Sequence, residues 1–429
     1  MVGADRCVRP KHLRYKWADT SVRPYKLVLV MKQNLDVVII GGAITGSVLA
    51  LALSSVCQHQ MQIAIVEKNV PNYAEQGGFD ARSIALAYGS LQKLAQIRPL
   101  ALNGDLAQLV YAMATPIKQI QVSDQGHFGK TTLKADELRL SELGVVVELA
   151  KLGEKLSNLI SQQPNIELFC PDTVANIERT TEQCEITLHS GKALTAQLLV
   201  ACDGIQSQVA QQCGVNTQFI KDYQQSAIIA NVMLAEPHRN HAFERFTHQG
   251  PFALLPLNEK MMSLVWCVAD PTEPMAMSDS EFLHALQQQF GWKLGKFLQV
   301  SKRFVYPLSS QKSESHMHHR LAIVGNASQL LHPVAGQGFN LGMRDLFELA
   351  TQLGKVFAQG KDLGDHDILQ AFAQQRQADQ TRIMQSTSGL ISLFSCEFLP
   401  MQVARNLALL GLSHCSLARN AVAHRALGW

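Results

Sequence analysis

The order of apolar and polar positions divides this 429-residue chain into stretches of different period. Nearly unbroken apolar runs at residues 35–40, 62–66, 198–201 and 321–324 have the length of buried strands. Each is closed within two residues by an acid or a glycine. Residues 47–55, rich in small side chains, read as a helix, so residues 35–67 form a strand, glycine turn, helix and strand in series. Residues 117–122 alternate as a half-buried strand does, and residues 145–149 open a helical stretch that reaches about residue 161. Strand-like runs follow at 166–169 and 185–188, the second ending in the turn His189-Ser190-Gly191-Lys192. Residues 223–270 read as several strands with turns between them, and residues 280–296 as a helix. An amphipathic helix begins near residues 340–344, and from about residue 366 the pattern is almost entirely helical. There is no internal repeat and no low-complexity block.

Length and composition narrow the class. A chain of this size predicts two closely joined domains. Hydrophobic residues at 47% and charged residues at 17% describe a globular enzyme rather than a disordered or fibrous chain. A net charge of +3 excludes a dedicated nucleic-acid binder. Even that surplus is local: residues 1–30 hold seven Lys and Arg against two Asp, leaving 31 basic and 33 acidic residues elsewhere. This basic extension lacks the apolar core of a secretory signal. It reads as a disordered tail, as a start assigned too early with translation from Met31, or as a basic arm that touches a membrane. Nine cysteines without a CxxC pair predict reduced thiols in a cytoplasmic protein. His316, His318 and His319 read as an exposed turn rather than a metal site, and no apolar run is long enough to span a membrane.

Three motifs carry chemistry. The first is Gly41-Gly42-Ala43-Ile44-Thr45-Gly46 between a strand and a helix, with Glu67 closing the next strand about 20 positions later. Glycines let backbone N–H groups approach a pyrophosphate, the helix N-terminus favours its charge, and an acid at that distance reaches a ribose hydroxyl. Ala43 stands where the fingerprint prefers its middle glycine. The second motif is Asp203-Gly204, closing the strand at 198–201. The third runs from Gly325-Asn326 through Pro333, Gly336, Gln337 and Gly338 to Asn340. Nucleotide-type elements so far apart predict one cofactor held from both ends.

With these motifs in this order, residues 31–429 resemble the flavoprotein aromatic hydroxylases built like p-hydroxybenzoate hydroxylase. The likeness is greater to their ubiquinone-biosynthesis branch. That likeness is carried by Phe79-Asp80-Ala81-Arg82-Ser83-Ile84-Ala85-Leu86, Ala242-Phe243-Glu244-Arg245-Phe246-Thr247, Gly250-Pro251, Leu254-Leu255-Pro256-Leu257 and the run from His332 to Asn340. The chain departs from the wider family at Asn326, where an Asp usually meets the flavin ribityl chain, and at Ala210, where an arginine often follows the Asp-Gly motif. Asn keeps hydrogen-bonding capacity but loses the charge.

The resemblance implies an α/β fold: an FAD-binding Rossmann-like domain, an interleaved and mainly antiparallel β substrate domain, and a helical C-terminus. Residues 31–108, 144–216 and 304–372 would form the FAD domain, 109–143 and 217–303 the substrate domain, and 373–429 the helical segment. The cofactor residues would be Gly41, Gly42, Ala43, Gly46, Glu67, Arg82, Asp203, Gly204, Gly325, Asn326, Pro333, Gly336, Gln337, Gly338 and Asn340. Arg82 either reaches the flavin or its phosphates or pairs with Asp80 on the surface, and His332 is either a proton relay or a packed loop residue. Phe243, Phe246, Phe252, Leu254 and Trp266 are candidates for an apolar substrate pocket, or for the core.

The implied reaction is ring hydroxylation of a polyprenyl phenol of the 2-octaprenyl-6-methoxyphenol kind in ubiquinone biosynthesis. It would use FAD, NAD(P)H and O2 through a flavin hydroperoxide, with no general base singled out and no metal. The alternatives are a sister hydroxylase acting at another ring carbon, an FAD-dependent dehydrogenase or reductase, and a flavin-bound scaffold. A lipid-soluble substrate implies a cytoplasmic enzyme that meets the inner-membrane surface or other enzymes of the pathway. The sparsely charged C-terminal helices either pack on the FAD domain or dock to a membrane or partner.

Overall fold

The apolar run in the strand Gln33–Ile40 occupies the interior of a parallel sheet, where both faces are covered and polar alternation is lost. In the computed structural model, which describes residues 33–72 and 82–427, that strand lies between Ile63–Val66 and Ala193–Ala201, parallel to both. Ile166–Phe169 and Leu321–Ile323 extend the parallel order outward on the two sides. The helix Ile44–Val56 packs on one face with Leu149–Ser161 and Gln337–Ala358, in a core that includes Leu49, Leu53 and Leu346. The hairpin Val174–Arg179 and Cys184–Leu188 and the short helix Gln208–Gln212 contribute to the core on the other face. The basic extension at residues 1–30 and the segment Phe79-Asp80-Ala81 lie outside the described residues.

A second, nine-stranded sheet is built around the long strand Thr217–Leu234, paired antiparallel to Met261–Val268 and to Phe304–Ser313. Gly250–Asn258 and His241–Thr247 continue it, and then Gln119–Asp124 and Lys130–Lys134 from the first half of the chain. The join between the two halves, Gln119–Asp124 beside His241–Thr247, is parallel. Ser83–Ala87, Gly144–Glu148 and Thr115–Ile117 form a small third sheet. The outcome is mixed α/β, with helices His366–Ser395, Leu399–His414 and Ser416–Leu427 at the C-terminus.

Several elements differ from the sequence expectation. Residues 144–148 are a strand, not the start of a helix: three valines favour the sheet, and a Cβ at Gly144 would lie 2.4 Å from the Leu86 carbonyl oxygen of the paired strand. The helix proper is Leu149–Ser161. The helix expected over 280–296 is Asp279–Phe290, capped reciprocally by Ser278 and Glu281 and stopped at Gly291, where φ is +87°. The helix expected near 340 begins at Gln337, directly after Gly336 at φ +61°. Phe304–Ser313, assigned by sequence to the cofactor side, is paired along Thr217–Leu234 in the second sheet. Thr115–Ile117, assigned to the substrate side, belongs to the third sheet. His316 is buried rather than exposed, with its ring nitrogens at 3.1 Å from Ser328 Oγ and 3.3 Å from Gln380 Oε1.

The helix His366–Ser395 is tied to the first sheet's loops by charge. Asp345, fully buried, accepts a hydrogen bond from Arg376 Nε at 2.7 Å, and Arg376 also reaches Asp379 at 2.8 Å. The other Asp345 oxygen accepts from Gln329 Nε2 at 2.8 Å and from the Gly325 backbone N–H at 3.2 Å. The surrounding carboxylates hold the Arg376 guanidinium above its ordinary pKa against the opposing effect of burial. Arg376→Leu leaves the Asp345 carboxylate buried without its cation, and stability falls by about 3–5 kcal/mol, read as the shift of the urea unfolding midpoint.

Candidate functional site

Strand register brings the sequence motifs to one end of the first sheet. Ile40 is level with Val66 on one side and Ala201 on the other, and Ala201 is level with Ile323. The segments that leave those strands therefore emerge side by side: Gly41, Glu67, Asp203 and Gly325. In open α/β sheets this carboxyl end is where ligands bind.

The first loop is shaped by two close approaches. Gly41 has φ +103°, and a Cβ there would lie 2.5 Å from the Cys202 carbonyl oxygen. A Cβ on Gly46 would lie 1.9 Å from the Gly41 carbonyl oxygen, so the turn closes only with glycine at both places. The helix Ile44–Val56 then starts with no side-chain cap at Ala43, which leaves its first N–H groups for a ligand. Glu67 is fixed at the end of its strand: Oε2 accepts the Gly42 N–H at 2.7 Å and Oε1 the Asn69 N–H at 2.9 Å. Asp203 is reached by the Val209 N–H at 3.4 Å, and the cavity walls around its carboxyl push it above the usual carboxylate range. The late loop rests on the first helix, since a Cβ on Gly325 would meet Thr45 Cγ2 at 2.7 Å. Asn326, beside it, is exposed.

These loops open into a cavity of about 1070 Å³. A pocket for one small molecule occupies about 300–1,000 Å³, so the space suits a large cofactor with a second molecule beside it. Gly41, Ala43, Glu67, Asp203, Gly204 and Asn326 line one end, and Pro333, Gly336, Gln337, Gly338 and Asn340 line the middle. Gly42, Gly46 and Gly325 are not on the wall, and their close contacts set the spacing of the loops that are. Arg82 is also off the wall, where its Nη1 donates to the Tyr306 hydroxyl at 3.1 Å. Its expected partner Asp80 lies outside the described residues. Asn340 is 3% exposed and its amide is fully used: Oδ1 accepts from Ala87 N and Ser90 Oγ, and Nδ2 donates to the Ala85 and Gly336 carbonyls. Its side chain thus braces the loop instead of reaching into the cavity. The cradle fits a dinucleotide: glycines are forced by backbone approach, a helix N-terminus is uncapped, and acids stand at the neighbouring strand ends.

The other end of the cavity is apolar. One face of the second sheet lines it through residues such as Ile229, Val265, Leu255 and Phe246, and the C-terminal helices cover it with Phe394, Leu409 and Leu427. Phe246 reaches the wall; Phe243 touches it but packs with Phe252, Leu254 and Trp266 into the core around Phe282 and Phe290. The C-terminal helices Leu399–His414 and Ser416–Leu427 pack on the strand Lys130–Lys134 of the second sheet, not on the cofactor sheet. Sequence reading passed over Glu244 and Thr131, the two polar strand residues of the second sheet on the wall. The alternation of residues 242–246 was the signal that could have placed Glu244 there.

His332 is completely buried at the cavity's edge. Nε2 lies 3.3 Å from Gln225 Oε1 and the ring stands edge-on to Tyr223, while Nδ1 has no hydrogen-bond partner among the described residues. Burial first, and then the Lys221 charge, pushes its pKa down to about 4.

A family model described as an FAD binding domain matches residues 34–387. The chain is 31% identical over 381 residues to ubiquinone hydroxylase UbiL of Rhodospirillum rubrum, covering 87% of this chain and 85% of that protein. It is 27% identical over 401 residues to 3-demethoxyubiquinol 3-hydroxylase of Escherichia coli, covering 92% and 99% respectively. Among solved structures, p-nitrophenol 4-monooxygenase PnpA of Pseudomonas putida aligns with a TM-score of 0.74 at 15% identity, over 92% of this chain and 98% of that one, a likeness of fold.

Two outcomes are expected here. His332 is neutral in the fold and protonates more readily when unfolded, so the unfolded chain gains protons first as pH falls. Stability is then lost between about pH 6.5 and pH 4, by up to about 3 kcal/mol from this group. His332→Asn flattens the urea-derived stability curve over that window. Asn340→Leu strands two donors and two acceptors and costs about 2–4 kcal/mol, measured in the same way.

Proposed function

The chain belongs to the FAD binding domain family, and we propose that it is an FAD-dependent monooxygenase of ubiquinone biosynthesis. In this reading it hydroxylates the aromatic ring of a polyprenyl phenol of the 2-octaprenyl-6-methoxyphenol kind, with NAD(P)H as electron donor. One atom of O2 enters the ring, the other leaves as water, and NAD(P)H supplies two electrons. The observation that carries the reading is that the polar strand-end cradle and the apolar sheet face open into one cavity. A reductase that makes no oxygenated product has less use for an apolar chamber continuous with its cofactor site.

The roles follow from position. Gly41, Gly42, Ala43 and Gly46 would bring backbone and helix dipole to the FAD pyrophosphate, with Glu67 at the adenosine ribose. Asp203, Gly204 and Asn326 would stand along the flavin side, Asn326 through its amide. Pro333, Gly336, Gln337 and Gly338 would pass the ring system, held in place by the internal bonds of Asn340. FAD, when bound, supplies the electron transfer that activates O2. The protein's task would be to hold the ring and exclude water, a role that Phe394, Leu409 and Leu427, which line the apolar end, would serve there.

A substrate with a polyprenyl tail is lipid-soluble, so the enzyme would work in the cytoplasm at a membrane surface or beside other enzymes of the pathway. Among the described residues no helix is long and apolar enough to cross a membrane. The helix Leu399–His414, part of the cavity's cover, exposes Leu399, Met401, Val403 and Leu407, and its one charged residue besides a terminal His, Arg405, is buried. That face supports peripheral contact with lipid.

The purified protein is expected to be yellow with FAD. It is expected to consume NADH or NADPH with phenol-dependent formation of a hydroxylated product; cofactor oxidation without product would favour the reductase. Deletion in the native organism should accumulate a quinone precursor that lacks one hydroxyl. Mass spectrometry identifies its position, and a different ring carbon would indicate a sister hydroxylase. A triple change of Leu399, Val403 and Leu407 to Glu should abolish flotation with phospholipid vesicles while leaving bound FAD in place.

A further inference from the structure

The sheet face of the cavity is longer than an aromatic ring requires. Register sets Ile229, Val265, Ala253, Glu244, Val122 and Thr131 side by side across six strands, and all six line the wall. Five spacings of about 4.8 Å make that row about 24 Å long. Its last member lies on Lys130–Lys134, the strand at the edge of the sheet. The late loop meets the row before that end, where Val334 shares an apolar cluster with Phe246 and Val122 packs against it. A ring held at the late loop would therefore leave the stretch toward the edge strand for another part of the same molecule.

Past the loop the cavity continues as an arm between the edge strand and the C-terminal helices. Ile120 and Leu133, paired across two strands, form its floor, and Leu412, Val422 and Leu427 line it from the helices. On Leu399–His414, Leu409 and Leu412 follow Arg405 at spacings of four and three, so the buried Arg405 turns both inward. On Ser416–Leu427, Arg419, Ala423 and Leu427 form the buried stripe. Val422 lies on its flank, 47% exposed while lining the cavity, so the arm reaches the surface there. The same two helices expose Leu407 and Leu417 to the outside. Arg419 brings a charge to the arm, but its guanidinium is fully used. Nε donates to Glu137 Oε2 at 2.9 Å, and Nη1 donates to the Leu412 and Ser413 carbonyls at 2.9 and 2.8 Å. Those bonds fasten the second helix to the end of the first, and they leave the methylenes of Arg419 to the wall.

We infer that this arm is the subsite for the hydrocarbon chain of the substrate, with Val422 and Leu412 at its mouth, an inference that rests on the polyprenyl phenol reading. A phenol without a chain would leave the arm to water, against walls whose burial is worth more the more area is covered. A chain displaces that water. Because the mouth opens on the helices whose apolar faces are turned outward, the rest of a long chain can stay in lipid while the ring reaches the cofactor end. Each methylene then passes from one apolar medium to another and is never carried through water.

The test measures binding of 2-alkylphenols, from methyl to octyl, to the FAD-loaded full chain by equilibrium dialysis, in wild type, Val422→Trp and Leu412→Trp. In wild type the affinity should rise about fourfold with each added methylene until the arm is full. An indole at either side of the mouth takes up the same space. In each variant the rise should stop at a shorter chain, and octylphenol should bind about tenfold more weakly than to wild type. Both positions are at least partly exposed, so neither change asks the core to repack, and bound FAD, read by absorbance, reports the fold. Either substitution alone decides the outcome if the other does not retain FAD. Affinity that does not grow with chain length, or that grows alike in all three proteins, would overturn the arm. Hydroxylation of alkylphenols without such growth would overturn the arm and keep the hydroxylase reading. Growth that the substitutions cut short, in a protein that forms no hydroxylated product, would keep the arm and remove that reading.

Discussion

The hydrogen-bonded register of the parallel sheet is the constraint on which the site depends. Ile40, Val66, Ala201 and Ile323 are level across four strands drawn from separated parts of the chain. A slip of one residue in any strand would turn its side chains to the opposite face. It would also move its loop by about 3.3 Å, more than the tolerance of the contacts between Gly41 and Cys202 or between Gly325 and Thr45. The register is protected by burial on both faces, where Val37, Val38 and Ile39 are wholly enclosed. Cofactor geometry is thus set by apolar packing well below the polar groups that would touch the cofactor.

Polar interactions take over where the sheet ends. Asp345 holds the backbone of Gly325 from beneath while Arg376, on another helix, holds Asp345. Asn340 performs a comparable service for the loop at 334–336. Charge near the late loop therefore exists in this chain, but it is buried and paired and faces away from the cavity. Asn326 lies on the wall without it. The loop's position and the loop's charge are separate properties here, assigned to different residues.

Legibility in the sequence followed the period of the signal. Runs such as residues 35–40 and 198–201 are buried on both faces and announce themselves, as do glycines forced by close backbone approach. The triple valine at 145–147 was ambiguous because a short apolar run fits a strand or a buried helix start, and only its partners Ser83–Ala87 and Thr115–Ile117 decide it. Phe252 and Trp266 stood open between pocket and core in the sequence, and strand parity assigns them to the core. His316 looked exposed within a histidine cluster, yet its bonds to Ser328 and Gln380 are made by segments far away in sequence. Arg82 was assigned by resemblance to the cofactor, and its contact with Tyr306, 224 residues on, had no local trace. What failed to show was information held by partners distant in sequence.

The cover over the apolar end inverts the usual pattern of a surface helix. Ordinarily the buried stripe is apolar and the exposed face charged. In Leu399–His414 the buried contacts include Arg405, which donates to Asp124 at 2.8 Å and to the Leu393 and Cys396 carbonyls, and Asn406, which bonds Asp124 and accepts the Gly129 N–H. Burying both ions costs hydration that the pair must recover, so apolar packing of the same volume would often hold the helix as well. What the polar anchor adds is a fixed rotation about the helix axis, since Arg405 and Asn406 must both meet Asp124. That rotation directs Leu409 toward the cavity and leaves Leu399, Val403 and Leu407 outward. In the proposed reading this helix meets lipid on one side and the chamber on the other, so both sides are apolar, and a polar anchor is what decides which side is which.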